Sequence, residues 1–255
     1  DTYWHADLDA IPGQPVIAGD LLLVPVQASG RGQVATLHAF DLATGASRWQ
    51  QAFAHAFISG LAASGDLLLI SLTSTDLLRG AGVLLAVDPA TGEARWRWPG
   101  EARAGVVQRV SAPAVREGEV VITVDARQVA VLDLATGAER AVIPVEARFS
   151  LAAPTLDTGV AYVPCKSPQL LAVDLAGDLR WRYTDPDADA WLDKTPLVLG
   201  ERVVAVLSTG AVVALDTAAG AVAWRVAVGP AGKALSPPAT DGERLYVGAR
   251  DGLYA

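Results

Sequence analysis

Apolar and polar positions along this 255-residue chain fall into short runs of strand length, and none keeps a 3.6-residue period over a useful stretch. The runs recur in a fixed order. LHAFDLATGASRW occupies Leu37 to Trp49, LLAVDPATGEARW Leu84 to Trp96, and VAVLDLATGAERA Val129 to Ala141. LLAVDLAGDLRW, Leu170 to Trp181, and VVALDTAAGAVAW, Val212 to Trp224, complete the set. Each copy is an apolar run, an Asp and a Gly-containing turn; all but the third end in Trp. A repeat near 40 residues points to an array of small β units.

The signature aspartates are Asp41, Asp88, Asp133, Asp174 and Asp216. Gly follows four positions later at Gly45, Gly92, Gly137 and Gly220, and three later at Gly177. Asp and Thr hydrogen-bond the local backbone and Gly supplies positive φ, so each signature predicts a tight hairpin. Ala39, Ala86, Ala172 and Ala214 precede the Asp by two and leave room for a large neighbour. Trp49, Trp96, Trp181 and Trp224 are that neighbour, packed between adjacent units.

Upstream of every signature lies a second recurrent unit, such as QPVIAGDLLLV from Gln14 and TPLVLGERVVAV from Thr195. It reads as two short strands joined by a Gly turn. Each repeat then holds four strands, A to D, with the signature between C and D, which describes a blade of a β-propeller. The A–B unit occurs six times, and a sixth strand C ends in GLYA at Ala255. The missing sixth strand D lies at the other end: Trp4, in DTYWHADL, precedes Trp49 by 45 residues and has no signature before it. The expectation is an all-β propeller of six four-stranded antiparallel blades. Its ring is closed by the N-terminal strand pairing with the C-terminal blade, which leaves no open edge.

Composition narrows the function. Hydrophobic residues make up 51%, enough for a large core, yet no apolar stretch approaches the ~20 residues of a membrane span. A net charge of −8 argues against a general nucleic-acid binder. The chain contains no Met, which suggests one propeller domain over 1–255 cut from a longer protein. One cysteine, Cys165, excludes an internal disulfide and a cysteine-based metal cluster. His5, His38 and His55 lack ligand spacing. The run DPDADAWLD, Asp185 to Asp193, lacks the Gly and terminal Glu of a calcium loop and reads as a solvated acidic loop.

The signature A-x-D-x-x-T-G-x-x-x-W resembles the repeat of the PQQ-type β-propellers, where it is called a tryptophan-docking motif, and the match recurs in register along nearly the whole chain. The resemblance implies one of three branches: quinoprotein dehydrogenases, outer-membrane assembly lipoproteins, or sensor domains attached to bacterial kinases and other effectors. The enzymes resemble eight-bladed propellers of more than twice this length. They commonly use a vicinal Cys-Cys disulfide over the quinone, a Ca²⁺ site and a catalytic Asp. A single Cys cannot supply that pair. The expectation is therefore a non-enzymatic binding, sensor or protein-interaction propeller with no cofactor, no metal and no catalytic residue. The alternative is an envelope scaffold similar to the assembly lipoproteins; a quinone-dependent dehydrogenase ranks last. An extracytoplasmic location, periplasmic or cell-surface, is favoured.

Up-and-down strands put the A–B turns and signatures on one face, and the B–C hairpins and D–A connectors on the other. The second set varies most, and variable loops on a rigid scaffold usually carry function. Arg109, Arg148, Lys194 and Lys233 stand just before strand A of four blades, where they could converge on the channel mouth. Trp191, His55 and Phe57 occupy related connectors. These seven are the candidate binding residues, for a small anionic ligand or an acidic segment of a protein partner. Leu77, Leu78 and Trp191 are candidates for an exposed apolar patch.

Overall fold

A computed structural model describes residues 3–8, 10–27, 34–75, 82–100, 107, 109–125, 127–148, 150–228 and 236–255. They form strands in six antiparallel sheets and no helix. The first sheet holds β1 (Ile11–Pro12), β2 (Val16–Ala18), β3 (Leu21–Gln27), β4 (Val34–Asp41) and β5 (Ser47–Ala54), ordered β1-β3-β4-β5 with β2 also on β3. The second runs β6 (Ala56–Ser64), β7 (Leu67–Ser74), β8 (Val83–Val87) and β9 (Ala94–Trp98). The third has β10 (Ala114–Arg116), β11 (Glu119–Val124), β12 (Gln128–Asp133) and β13 (Glu139–Pro144). The fourth has β14 (Thr155–Asp157), β15 (Val160–Pro164), β16 (Gln169–Asp174) and β17 (Leu179–Thr184). The fifth has β18 (Leu197–Leu199), β19 (Arg202–Val206), β20 (Ala211–Asp216) and β21 (Val222–Ala227). The sixth has three strands, β22 (Ala239–Thr240), β23 (Leu245–Ala249) and β24 (Gly252–Tyr254).

The chain forms two compact units, residues 1–118 with 133–138, and residues 119–132 with 139–255. The first holds sheets one and two, β10 and the third signature turn. The second holds β11 to β13 and the remaining sheets.

Inner strands of the second to fifth sheets are buried on both faces, which is why they read as continuous apolar runs; β4 of the first sheet alternates. All but the last residue of β7, LLLISLTS, is buried. In the first unit, Leu23, Leu37 and Ala39 pack with Leu68, Ile70 and Leu72. In the second, Val129, Val131 and Ile143 pack with Val163, Leu171 and Val173, and Tyr162, Leu170 and Trp181 pack with Val203, Val213 and Leu215. The D strands are far more exposed; β21 is exposed throughout.

The signature hairpins share one register. Each slips by a residue just before the Asp, at Ala39/Phe40, Ala86/Val87, Val131/Leu132, Ala172/Val173 and Ala214/Leu215. That bulge places Ala39 opposite Trp49, Ala86 opposite Trp96, Ala172 opposite Trp181 and Ala214 opposite Trp224. The third copy pairs Val131 with Ala141, so the large and small members change strands.

Most of the tryptophans then reach the next signature. The Trp49 indole N–H donates to Pro89 O (2.9 Å), Trp96 to Leu134 O (3.0 Å) and Trp181 to Thr217 O (2.9 Å). Each ring lies against the signature Gly. A Cβ on Gly137 would stand 2.5 Å from the Trp96 ring, and one on Gly220 2.6 Å from the Trp181 ring. Both glycines also have positive φ, +70° and +67°, so two independent constraints select Gly there. Trp4 behaves the same way, donating to Leu42 O (3.0 Å) and lying against Gly45. Trp224 is 42% exposed.

One expectation differs from the structure. Residues 3–8 form no strand, and β24 pairs only with β23 among the described residues. Trp4, Ala6 and Leu8 instead pack against Val24, Val26 and Phe40, so the segment is anchored by side chains without a backbone ladder.

Candidate interaction surface

Three signature turns pair their Asp with an Arg of the same signature. Asp41 accepts from the Thr44 amide (2.9 Å), the Thr44 hydroxyl (2.8 Å) and Arg48 (2.7 Å). The Thr44 hydroxyl and Arg48 hold its carboxyl down at about 2. Asp88 is lowered chiefly by Arg95, and Asp174 by the Ala176 amide and then Arg180. In the fifth copy the signature has no Arg, and Arg202 of β19 reaches Asp216 instead (2.8 Å). Arg140 pairs with Glu119 at 3.0 Å. The sequence reading missed these pairs, although the signal was present: Arg48, Arg95, Arg140 and Arg180 directly precede Trp49, Trp96, Ala141 and Trp181.

The connectors of the second unit are built differently. The segment after β13 is laced to its neighbours by backbone hydrogen bonds. The Val145 amide donates to Arg127 O (2.8 Å), Lys166 to Arg148 O (2.6 Å) and Ser150 to Pro164 O (3.3 Å). The connector after β17 joins the same hairpin, with Leu192 donating to Cys165 O (2.8 Å) and Asp185 to Pro168 O (2.7 Å).

Asp185 overturns the reading of DPDADAWLD as a wholly solvated loop, because it is 2% exposed. It accepts from the Tyr183 hydroxyl (2.6 Å), from Arg225 at Nε (2.9 Å) and Nη2 (3.1 Å), and from the Asp187 amide (3.0 Å). Burial pushes its carboxyl up, but Arg225, Tyr183 and the Asp187 amide outweigh that and leave it below the usual range. The partner lies 40 residues away on β21, beyond the reach of a local reading.

This anchor and two buried apolar residues, Ala190 and Leu192, fix the connector. Trp191 lies between them. Its amide donates to Ser208 Oγ (3.1 Å) and its carbonyl accepts from the Ser208 amide (2.9 Å), while the residue stays 41% exposed. The backbone is thus held at both groups while the side chain reaches solvent.

A cleft of about 970 Å³ is lined by Asp125, Arg127, Pro144, Val145, Glu146, Ala147 and Arg148. Arg182 approaches the same segment, with Nη1 donating to Glu146 O (3.2 Å) and to Gln169 Oε1 (3.4 Å). Cys165 is buried in the neighbouring core, and burial pushes its thiol up to about 12, which suits packing and not reactivity.

The seven candidate residues do not share one fate. Arg148 and Trp191 belong to the second unit, on connectors hydrogen-bonded to adjacent residues of one hairpin. Lys194 is in the same unit but is paired with Asp193 at 3.1 Å. His55 (φ +56°), Phe57 (38% exposed) and Arg109 are exposed residues of the first unit. Lys233, Leu77 and Leu78 lie outside the described residues. Arg127, Lys166 and Arg182 were not singled out, because hydrogen bonds between distant segments bring them to residues 145–148.

Repeated antiparallel sheets, mostly of four strands and five of them carrying the same signature hairpin, define a PQQ-type repeat protein with the β-propeller fold. The family model described as outer membrane protein assembly factor BamB matches residues 1–152 and again 145–255, so the chain belongs to that family. A sequence search of curated proteins finds no significant match. Among solved structures, BamB from Moraxella catarrhalis aligns with a TM-score of 0.73 at 20% identity, over 98% of this chain and 71% of that one. A europium-containing methanol dehydrogenase aligns at 0.64 and 16% identity, over 87% of this chain and 52% of that one. Quinohemoprotein alcohol dehydrogenase from Comamonas testosteroni aligns at 0.62 and 16%, over 85% and 42%. At these identities the structural likeness concerns the fold.

Proposed function

We propose that this chain is a non-enzymatic, extracytoplasmic protein-interaction propeller, a bacterial envelope scaffold of the kind named by its family, outer membrane protein assembly. Six sheets are read as six blades, with Trp4 serving as the Trp of the sixth in a closed ring. Its seating on Leu42 and Gly45 supports that reading. The signature Trp then serves as a docking residue between blades, as the family's name for the motif implies.

The residues present do not fit the quinone site of the family's enzymes. Those enzymes commonly place two adjacent cysteines over the quinone, and the chain has one, buried in the core. Family membership and the greater likeness to BamB support a scaffold over a dehydrogenase.

The observation that carries the partner site is Trp191, an indole presented to solvent by a connector whose backbone is fixed on both sides. Aromatic side chains on rigid loops lose little entropy on binding and recur as interface anchors. Of the candidate residues, Trp191 and Arg148 are the proposed contacts. A small anionic ligand sensed at the channel mouth has no comparable support.

A photo-crosslinking amino acid at position 191, expressed in the source cells, tests the reading. The expected result is a discrete crosslink to an outer-membrane assembly protein, absent when the same group replaces exposed Ala135 on the signature face. Identical products at both positions, or none at 191, overturn it.

A further inference from the structure

Cations near the signature turns and cations around the connector after β13 are treated differently. On the signature side, Arg48, Arg95, Arg140, Arg180 and Arg202 each meet a carboxylate. Around the segment Pro144–Arg148, Arg127, Arg148, Lys166 and Arg182 meet none among the described residues. The four are brought together by bonds already described: Val145 to Arg127, Lys166 to Arg148, and Arg182 to Glu146 O. Against them stand Asp125, which has an interaction of its own, and Glu146. The group therefore carries a formal surplus of two positive charges in a chain of net charge −8. Three apolar residues, Pro144, Val145 and Ala147, also line the cleft.

We infer that this cleft receives an acidic, extended segment of a partner protein, with carboxylates meeting Arg127, Arg148, Lys166 and Arg182. The inference rests on the protein-interaction reading above and deepens it by naming the chemistry of the partner. Guanidinium groups with free donors match carboxylates in bidentate geometry. Unpaired cations on an acidic surface steer acidic segments to one place and away from the rest of the molecule. An extended peptide also gains from the apolar lining residues, which a free inorganic anion cannot use.

The test uses a fluorescein-labelled octaglutamate peptide and its octaglutamine counterpart, titrated with the whole chain at 20 mM salt and read by fluorescence anisotropy. The expected result is saturable binding of the glutamate peptide alone, weakened at least tenfold by the double variant Arg127→Glu/Arg148→Glu and several-fold at 200 mM salt. Thermal unfolding of the double variant shows that the fold is kept, and the milder Arg127→Gln/Arg148→Gln pair serves if it is not. Equal binding by wild type and variant, or no binding of the glutamate peptide, overturns the inference. So does binding of vesicles of anionic phosphatidylglycerol without the peptide. A crosslink at position 191 that persists while the peptide fails to bind removes only this inference and leaves the protein-interaction reading in place.

Discussion

The seam from the fourth to the fifth sheet and the seam from the third to the fourth belong to one unit and are built from corresponding positions, yet they solve the packing problem in opposite ways. At the first, Trp181 sits opposite Ala172, crosses to Thr217 O and lies on Gly220. At the second, Ala141 sits opposite Val131, and a Cβ on Gly177 would meet nothing within 4 Å. The receiving turn has also changed: its Gly comes three residues after Asp174 instead of four, with φ +131°. Leu175, Ala141 and Leu156 pack at the edge of an aliphatic cluster in place of an indole. Trp, facing Ala and receiving Gly thus act as one coupled set: where the first is missing, the second is enlarged and the third is released from contact.

The sharpest way to break this contrast is Trp181→Ala. It removes a 9%-exposed indole that also packs against Tyr162, and the expected loss is about 3–5 kcal/mol. Urea unfolding measures it, and a loss below about 1 kcal/mol would sink the claim that the indole holds the seam. Next comes the pair Gly220→Ala and Gly177→Ala. The first adds a ring clash to backbone strain and should cost about 3 kcal/mol; the second adds strain alone and should cost about 1 kcal/mol. Equal costs would show that the ring contact is irrelevant. Ala141→Trp should destabilise by about 2 kcal/mol, because Val131 occupies the facing position, and Val131→Ala in the same chain should recover part of that. The seam then differs by design of the whole set and not by one substitution.

The smallest expected effect concerns acid. Folding lowers the Asp41 carboxyl from an ordinary 3.8 to about 2 and also lowers Asp88, Asp174 and Asp216. The unfolded chain therefore binds more protons in this range. The stabilisation is complete above pH ~4 and disappears as pH falls through ~2. In a melting series from pH 6 to pH 2, Asp41→Asn should show a shallower acid decline than wild type. An unchanged slope would contradict the role assigned to the turn.

Much of the scaffold was legible in the sequence because it is local and repeated. The Asp-Thr-Gly hairpin depends on five neighbouring residues, and the small residue facing Trp on the next strand was visible as Ala39, Ala86, Ala172 and Ala214. The Asp–Arg pairs were visible too, since Arg stands next to Trp in the same strings. What could not be read was non-local. Nothing near Asp185 names Arg225 as its partner, and nothing near Val145 and Glu146 shows that Arg127 and Arg182 bond to them. The N-terminal strand was inferred from a Trp whose side chain is seated as expected while its backbone forms no ladder. A seated side chain and a paired strand are separate requirements, and a lone Trp bears only on the first.

The position of the tryptophans has a consequence for how such a chain can grow. Every seated Trp belongs to one repeat, and the carbonyl and glycine that receive it belong to the next. No signature hairpin completes its own interface. Copying a single repeat therefore inserts a donor and an acceptor together, each finding a ready counterpart in the flanking copies, so an array can lengthen without any new contact being invented. A copy that loses its donor, as the one ending in Ala141 has, leaves its successor's turn free to shorten and drift. The heritable unit of this architecture is the junction between sheets more than the sheet itself.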